Sequence, residues 1–240
     1  MPHFFSDQKI DNQIFITGED FSHMSRVLRM RVGEKVSVSH TNGMDYDCQI
    51  LEYRSDCAVL EILEEYPNQT EPSIQITLFQ ALPKGDKLDL ITQKAVELGV
   101  SRIVPVLTKR CVSRPDGKSM QKKIIRYQKI AKEAAKQSGR GIIPEIGELL
   151  TFSQALEQLR QMECPIFFYE KGGRKMSEFV SPSVNQIGIM IGSEGGFEAE
   201  EAEQAAAAGL EIATLGRLIL RCETAPLAAI SVLMNLTGNI

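Results

Sequence analysis

Five cysteines and three histidines are all that this 240-residue chain offers to a disulfide or a transition metal. Cys48, Cys57, Cys111, Cys164 and Cys222 form no C-x-x-C pair and the histidines are scattered, so no disulfide framework and no metal site is expected and the compartment reads as reducing. No run approaches 18 consecutive apolar residues, and no basic segment followed by an apolar stretch opens the chain. A soluble, cytoplasmic protein with no membrane contact is expected. Internal repeats and low-complexity segments are absent too.

One further lack is local. The stretch "MIGSEGGFEAEE" at 190–201 reads as a glycine loop between a buried strand and a helix, a position where backbone N–H groups usually cradle phosphate. It carries Glu194, Glu198, Glu200 and Glu201 and no Lys or Arg, so a polyphosphate would meet like charge. Its ligand should be neutral or carry a cation.

Positive charge is concentrated elsewhere. Residues 84–140 hold 15 Lys and Arg against 5 Asp and Glu, while both flanking segments are acidic and the whole chain is −4. Lys122, Arg126, Lys129, Lys132 or Glu133, and Lys136 recur at helical spacing, with Ile125, Ile130 and Ala134 able to face inward. Such a stripe is either a solvated helix face or the footprint of a polyanion. Its concentration in one segment of an acidic chain favours nucleic acid, and makes Lys84, Arg110, Lys122, Arg126, Lys129, Lys136 and Arg140 candidate phosphate contacts.

Two patterns divide the chain. In residues 1–70, "NQIFIT", "EKVSVSH", "DYDCQILEY" and "CAVLEILEE" read as short strands, "TNG" as a hairpin turn and "DFSHMSRVLRM" as a helix, which together suggest a small β-barrel. A linker falls in "EYPNQTEPS" at 65–73. Over 73–240 strands and helices alternate, predicting an α/β domain with a mainly parallel sheet. In it Asp86 reads as the N-cap and Gly99 as the terminator of a helix, and another helix spans about 119–138. Three loops, "YEKGG" (169–173), "GSEGG" (192–196) and "LGRLILRCETA" (215–225), end apolar strands and are candidates for one shared pocket.

These motifs carry a resemblance. "GSEGGF" followed by "LGRLILRCETAPLAAI", and preceded by "QKAVELGV", "KIAKEAAKQSGR" and "IPEI", resembles the RsmE family of bacterial ribosomal small-subunit RNA uracil N3 methyltransferases. "MPHFF" and "HMSRVLRMRVGE" resemble that family's PUA-like RNA-binding domain. The resemblance implies a SPOUT-class C-terminal domain with a trefoil knot, S-adenosylmethionine as cofactor, 16S ribosomal RNA of the small subunit as partner and a homodimer. A sulfonium cofactor without phosphate suits a glycine loop without basic residues.

Carried over position by position, the resemblance places Tyr169 and Glu170 at the cofactor's rim and Ile191, Gly192, Gly195, Gly196, Leu215, Gly216, Ile219 and Leu220 around it. Glu194 either accepts from the ligand or fixes the loop by bonding backbone N–H groups. Arg221 is the candidate stabiliser of the uracil anion, with a plain ion pair as its alternative. Glu223 is a base or a helix-capping carboxylate. His3, Arg26 and Arg29 join the RNA contacts. The chain departs from the family pattern at His3, Ser193, Leu218 and Cys222, where the family commonly has Arg, Pro, Arg and Thr.

Overall fold

Alternation of apolar and polar residues in the first seventy positions becomes a six-stranded sheet. Its strands are β1 (His3–Phe5), β2 (Lys9–Ile10), β3 (Gln13–Thr17), β4 (Lys35–His40), β5 (Met44–Tyr53) and β6 (Cys57–Pro67). They run in the order β1-β4-β5-β6-β3-β2, antiparallel except for β1 beside β4. Alternate side chains of these strands, among them Phe4, Ile14, Ile16, Val36, Val38, Tyr46, Ile50 and Leu60, converge on one core. The β4–β5 hairpin turns at Thr41–Gly43, where Gly43 has φ +81°. The helix read over 20–30 is shorter and wider: α1 (Gly18–Ser22) passes into a π turn over His23–Val27. Only Met24 of that turn is buried; Arg26 within it and Arg29 just beyond it stand exposed.

The computed structural model describes residues 1–240 and clusters them into two units, Met1–Glu71 with Ala135–Ile143, and Pro72–Ala134 with Pro144–Ile240. Segment 135–143, assigned by the sequence pattern to the second domain, counts with the first. There it corrects two expected phosphate contacts. Lys136 is buried in an ion pair with Asp20, and Arg140 is buried with its guanidinium across Glu71, Nε to Oε1 at 3.0 Å and Nη2 to Oε2 at 2.6 Å. A charge leaves water only when a partner replaces the lost hydration, so both cations are committed inside the unit. His3 is a third correction. Its Nδ1 lies 3.0 Å from Ser37 Oγ and its Nε2 3.2 Å from Ser39 Oγ, and burial holds its pKa below the ordinary value, so it faces hydroxyls as a neutral ring.

In the second unit, apolar runs become strands covered on both faces. These are β7 (Gln75–Ala81), β8 (Arg102–Leu107), β9 (Glu145–Ile146), β10 (Leu150–Thr151), β11 (Cys164–Phe168), β12 (Gln186–Ile191) and β13 (Glu211–Ala213). The main order is β10-β8-β7-β12-β11-β13, with β9 also on β8, and every pairing is parallel. The helices are α2 (Lys87–Glu97), α3 (Gly117–Ser138), α4 (Phe152–Leu159), α5 (Ala199–Ala207) and α6 (Ala225–Leu236). Gly99, at φ +97°, ends α2, whereas Asp86 occupies the cap position without a capping hydrogen bond from its side chain.

The register of α3 differs from the expectation. Its buried face is Met120, Tyr127, Ala131 and Ala134, while Ile125 is 60% exposed. Two residues is about 200° around a helix, so burying Tyr127 turns Ile125 outward. Lys122, Arg126 and Lys129 remain on the exposed side, with Arg126 paired to Asp89. No helix of the chain is long and apolar enough to cross a membrane.

Candidate functional site

Neighbouring parallel strands deliver their C-terminal loops to the same edge of a sheet, and β12, β11 and β13 are neighbours. The loops that follow them meet around one cavity of about 250 Å³. All eleven residues expected to surround a cofactor line it: Tyr169, Glu170, Ile191, Gly192, Glu194, Gly195, Gly196, Leu215, Gly216, Ile219 and Leu220. Phe168, Ser193, Phe197, Thr214, Arg217, Leu218 and Ala225 complete the wall, and Phe168, Phe197 and Thr214 were not legible as site residues. Beneath it the Phe167 and Phe197 rings are 4.3 Å apart between centroids, and Phe152 packs on both. This aromatic floor is rigid because each ring is held by another.

The glycine loop is tight. Gly196 N–H donates to Ser193 C=O at 2.9 Å, and Gly196 adopts φ +64°. A Cβ there would lie 2.7 Å from Glu170 Oε1, so the carboxylate of the 169–173 loop rests directly against the glycine. From the neighbouring strand, Gln80 Nε2 donates to Gly192 C=O at 3.2 Å.

The acidic wall read in this loop is neutralised from outside the cavity. Arg110 grips Glu198 with both ends of its guanidinium, at 2.9 and 3.1 Å, and donates to Gly195 C=O at 2.8 Å. Lys109 pairs with Glu200. Lys87 Nζ lies 2.9 Å from Glu194 Oε1, and the Lys84 N–H donates to both Glu194 oxygens at 3.1 and 3.4 Å. Desolvation pushes the Glu194 carboxyl up, but the bonds from Lys87, its own N–H and Lys84 outweigh it and hold the group below its ordinary pKa. Glu198 is likewise held low, chiefly by Arg110. Arg110 is therefore a clamp on the glycine loop, and Lys84 meets that loop through its main chain. Lys87, Lys109 and Gln80 escaped the sequence reading because their partners lie about a hundred residues away.

Beyond Leu220 the chain turns into α6. Arg221 extends outward, its side chain 83% exposed, with Nη1 3.9 Å from Glu223 Oε1. The carboxylate of Glu223 meets the Cys222 thiol at 3.2 Å and Lys87 at 3.3 Å, and these, with its own N–H, hold it ionised below the usual range. Its partners are thus side chains of the site rather than the N–H groups of α6. Leu218 and Ile219, 80% and 78% exposed, form an apolar lip.

Chemically, the cavity offers apolar walls, main-chain donors and acceptors and the Glu170 and Glu194 carboxylates, with one exposed cation, Arg217, in its lining and with Lys87, Lys109 and Arg110 turned onto the loop acids. A flat heterocycle attached to a cationic centre fits such a lining, and a polyphosphate does not.

Comparison with known proteins places this architecture. The family described as RNA methyltransferase domain matches residues 70–234, and that described as RNA methyltransferase PUA domain matches residues 16–55. Ribosomal RNA small subunit methyltransferase E of Bacillus subtilis (strain 168) is 34% identical over 223 residues, covering 90% of this chain and 87% of that protein. The protein of the same name from Aquifex aeolicus (strain VF5) is 30% identical over 97% of this chain and 98% of its own. A crystal structure of a ribosomal RNA small subunit methyltransferase E from Neisseria gonorrhoeae bound to S-adenosyl methionine superposes with a TM-score of 0.88 at 33% identity, covering 98% of both chains.

Proposed function

The chain belongs to the RNA methyltransferase family, and from that premise we propose that it methylates N3 of a uridine in 16S ribosomal RNA with S-adenosylmethionine as donor. The observation that carries this reading is the meeting of three glycine-containing loops around one cavity, with the exposed Arg221 following directly on Leu220 of its lining. S-adenosylmethionine supplies, when bound, an electrophilic methyl on a sulfonium. The main chain of Ile191, Gly192, Gly195, Gly196, Leu215, Gly216, Ile219 and Leu220 holds it, with Tyr169 and the Glu170 carboxylate at the rim. Glu194, already engaged by Lys84 and Lys87, serves as the anchor of its loop.

The residues of the chain then have two tasks at the uracil. N3 carries a proton and lies on the Watson–Crick edge, so the base must be unpaired or flipped to present it. Arg221 stabilises the imide anion formed when the N3 proton leaves to solvent water, a preorganised charge facing developing charge; N3 would then take the methyl as the S–CH3 bond breaks and the neutral thioether leaves. Glu223, engaged by the Cys222 thiol and the Lys87 ammonium, acts as a fixed anion of the site. Arg26 and Arg29 of the first unit and Lys122, Arg126 and Lys129 of the second contact the RNA backbone. The enzyme works in the cytoplasm as a homodimer, for which the apolar lip at Leu218 and Ile219 and the exposed Val232 of α6 supply surface.

Single-turnover methylation of small-subunit RNA tests the assignment. Arg221→Ala should bind S-adenosylmethionine within a few-fold of the parent and lose roughly a hundredfold in rate, the scale of one preorganised electrostatic stabiliser. A near-normal rate refutes the role of Arg221.

A further inference from the structure

Lys87, the first residue of α2, joins three segments that the sequence keeps far apart. Its ammonium lies 2.9 Å from Glu194 in the glycine loop, 3.3 Å from Glu223 Oε2 in the turn before α6, and 3.8 Å from Cys222 Sγ. The Cys222 thiol, pushed up to about 12 by burial and by Glu223, stays protonated and donates to the same Glu223 Oε2 at 3.2 Å. One oxygen of Glu223 is therefore occupied twice.

The other oxygen faces Arg221. Its separation of 3.9 Å from Arg221 Nη1 is too long for a hydrogen bond, and the guanidinium remains largely in solvent. An arginine two residues from a carboxylate ordinarily gains most by the planar fork in which both carboxylate oxygens accept. Here that fork is blocked, because Oε2 is turned to Lys87 and the thiol.

We propose that Lys87 is a positioning residue for methyl transfer: by holding Glu223 it keeps Arg221 out of a bidentate ion pair and leaves the guanidinium available to the uracil. The proposal rests on the role of Arg221 given above. It also assigns Glu223 a reason to be present, since a carboxylate fixed 3.9 Å away steadies Arg221, the residue after the cavity-lining Leu220, without capturing it.

A set of variants tests this in single-turnover assays at saturating S-adenosylmethionine and RNA, with cofactor affinity measured separately to register any loosening of Glu194. Lys87→Met should lower the rate about tenfold, as Arg221 closes onto Glu223. Lys87→Arg, which keeps the charge, should retain most of it. Adding Glu223→Gln to Lys87→Met should restore the rate several-fold, because an amide cannot trap the guanidinium; a merely structural role for Lys87 predicts a further loss instead. In an Arg221→Ala background, Lys87→Met should change the rate little. Lys87→Gln with thermal melting serves if the Met variant is poorly folded, and should show the same rescue by Glu223→Gln. A normal rate for Lys87→Met, or no rescue by Glu223→Gln, overturns the proposal. A normal rate for Arg221→Ala overturns the reading beneath it, so the two failures are distinguishable.

Discussion

Gly196→Ala isolates what the glycine loop contributes to ligand binding. Its φ of +64° lies in the left-handed region, where a residue with a Cβ is disfavoured by roughly 1–2 kcal/mol. The new methyl would also sit 2.7, 2.9 and 3.0 Å from Oε1, Cδ and Oε2 of Glu170. That carboxylate ends a flexible side chain, so it swings away from the rim rather than breaking the loop. If the loop keeps its shape, the backbone cost appears as lost stability, at roughly 2–4 °C in Tm for each kcal/mol in a domain of this size. If it relaxes, the cost appears in affinity, roughly 5- to 30-fold for 1–2 kcal/mol. Thermal melting and calorimetric titration with S-adenosylmethionine measure the two together, and their sum should match the backbone term plus the displaced carboxylate. Adding Glu170→Ala removes the steric part and leaves the backbone part. Gly209→Ala is the control: φ is +85° and a Cβ there would meet nothing within 4 Å, so Tm should fall while affinity stays put. Unchanged Tm and affinity within twofold for Gly196→Ala would refute both the strain and the contact.

Acid should loosen the same loop. Glu194 and Glu198 have folded-state pKa values below their ordinary ones, so their contribution is fully present above the ordinary carboxylate range and is lost as pH falls through the lowered values. Melting temperature against pH should show this loss, and Arg110→Gln should shrink it. On the basic face of α3, Lys122→Ala should lower the salt slope of RNA binding by about one, and Arg126→Ala by less because Asp89 already neutralises it; an unchanged slope for both returns the stripe to plain solvated surface. Sedimentation at micromolar concentration should give a species of about twice 26.7 kDa that Val232→Asp weakens, and a parent that sediments only as 26.7 kDa would remove the homodimer.

Much of this was legible in the chain, for reasons that are local. The strands from β3 onward, except the two-residue β9 and β10, announce themselves by alternation or apolar runs, and the three loops by glycine after such a run, so their convergence followed from the parallel order alone. What escaped is tertiary. The cations that neutralise the glycine loop are unremarkable lysines and an arginine in sequence, and only the fold sets Lys87 beside Glu194 and Glu223. Lys136 and Arg140 carry the same charge as Lys122, yet burial against Asp20 and Glu71 reverses their meaning. Residue Ile125 gave way to Tyr127 because one large ring claimed the inward face and carried the register with it. The π turn after α1 has no signature that periodicity can detect.

Strand β12 lies between β7 and β11, and its residues Gln186–Ile191 align with Gln75–Gln80. β12 is the strand through which β11 and β13 join β7, and the chain between β7 and β12 must be organised before that pairing repays the entropy of closing so long a loop. Assembly of the second unit should accordingly be slow, and the union of its sheet through β12 should be a late step. Until then Ile187, Ile189 and Met190, fully buried in the finished sheet, are open to wrong partners. The glycine loop begins where β12 stops, so the cavity forms only once β12 has joined β7 to β11, and the appearance of ligand binding during refolding marks that union rather than the first pairing of strands.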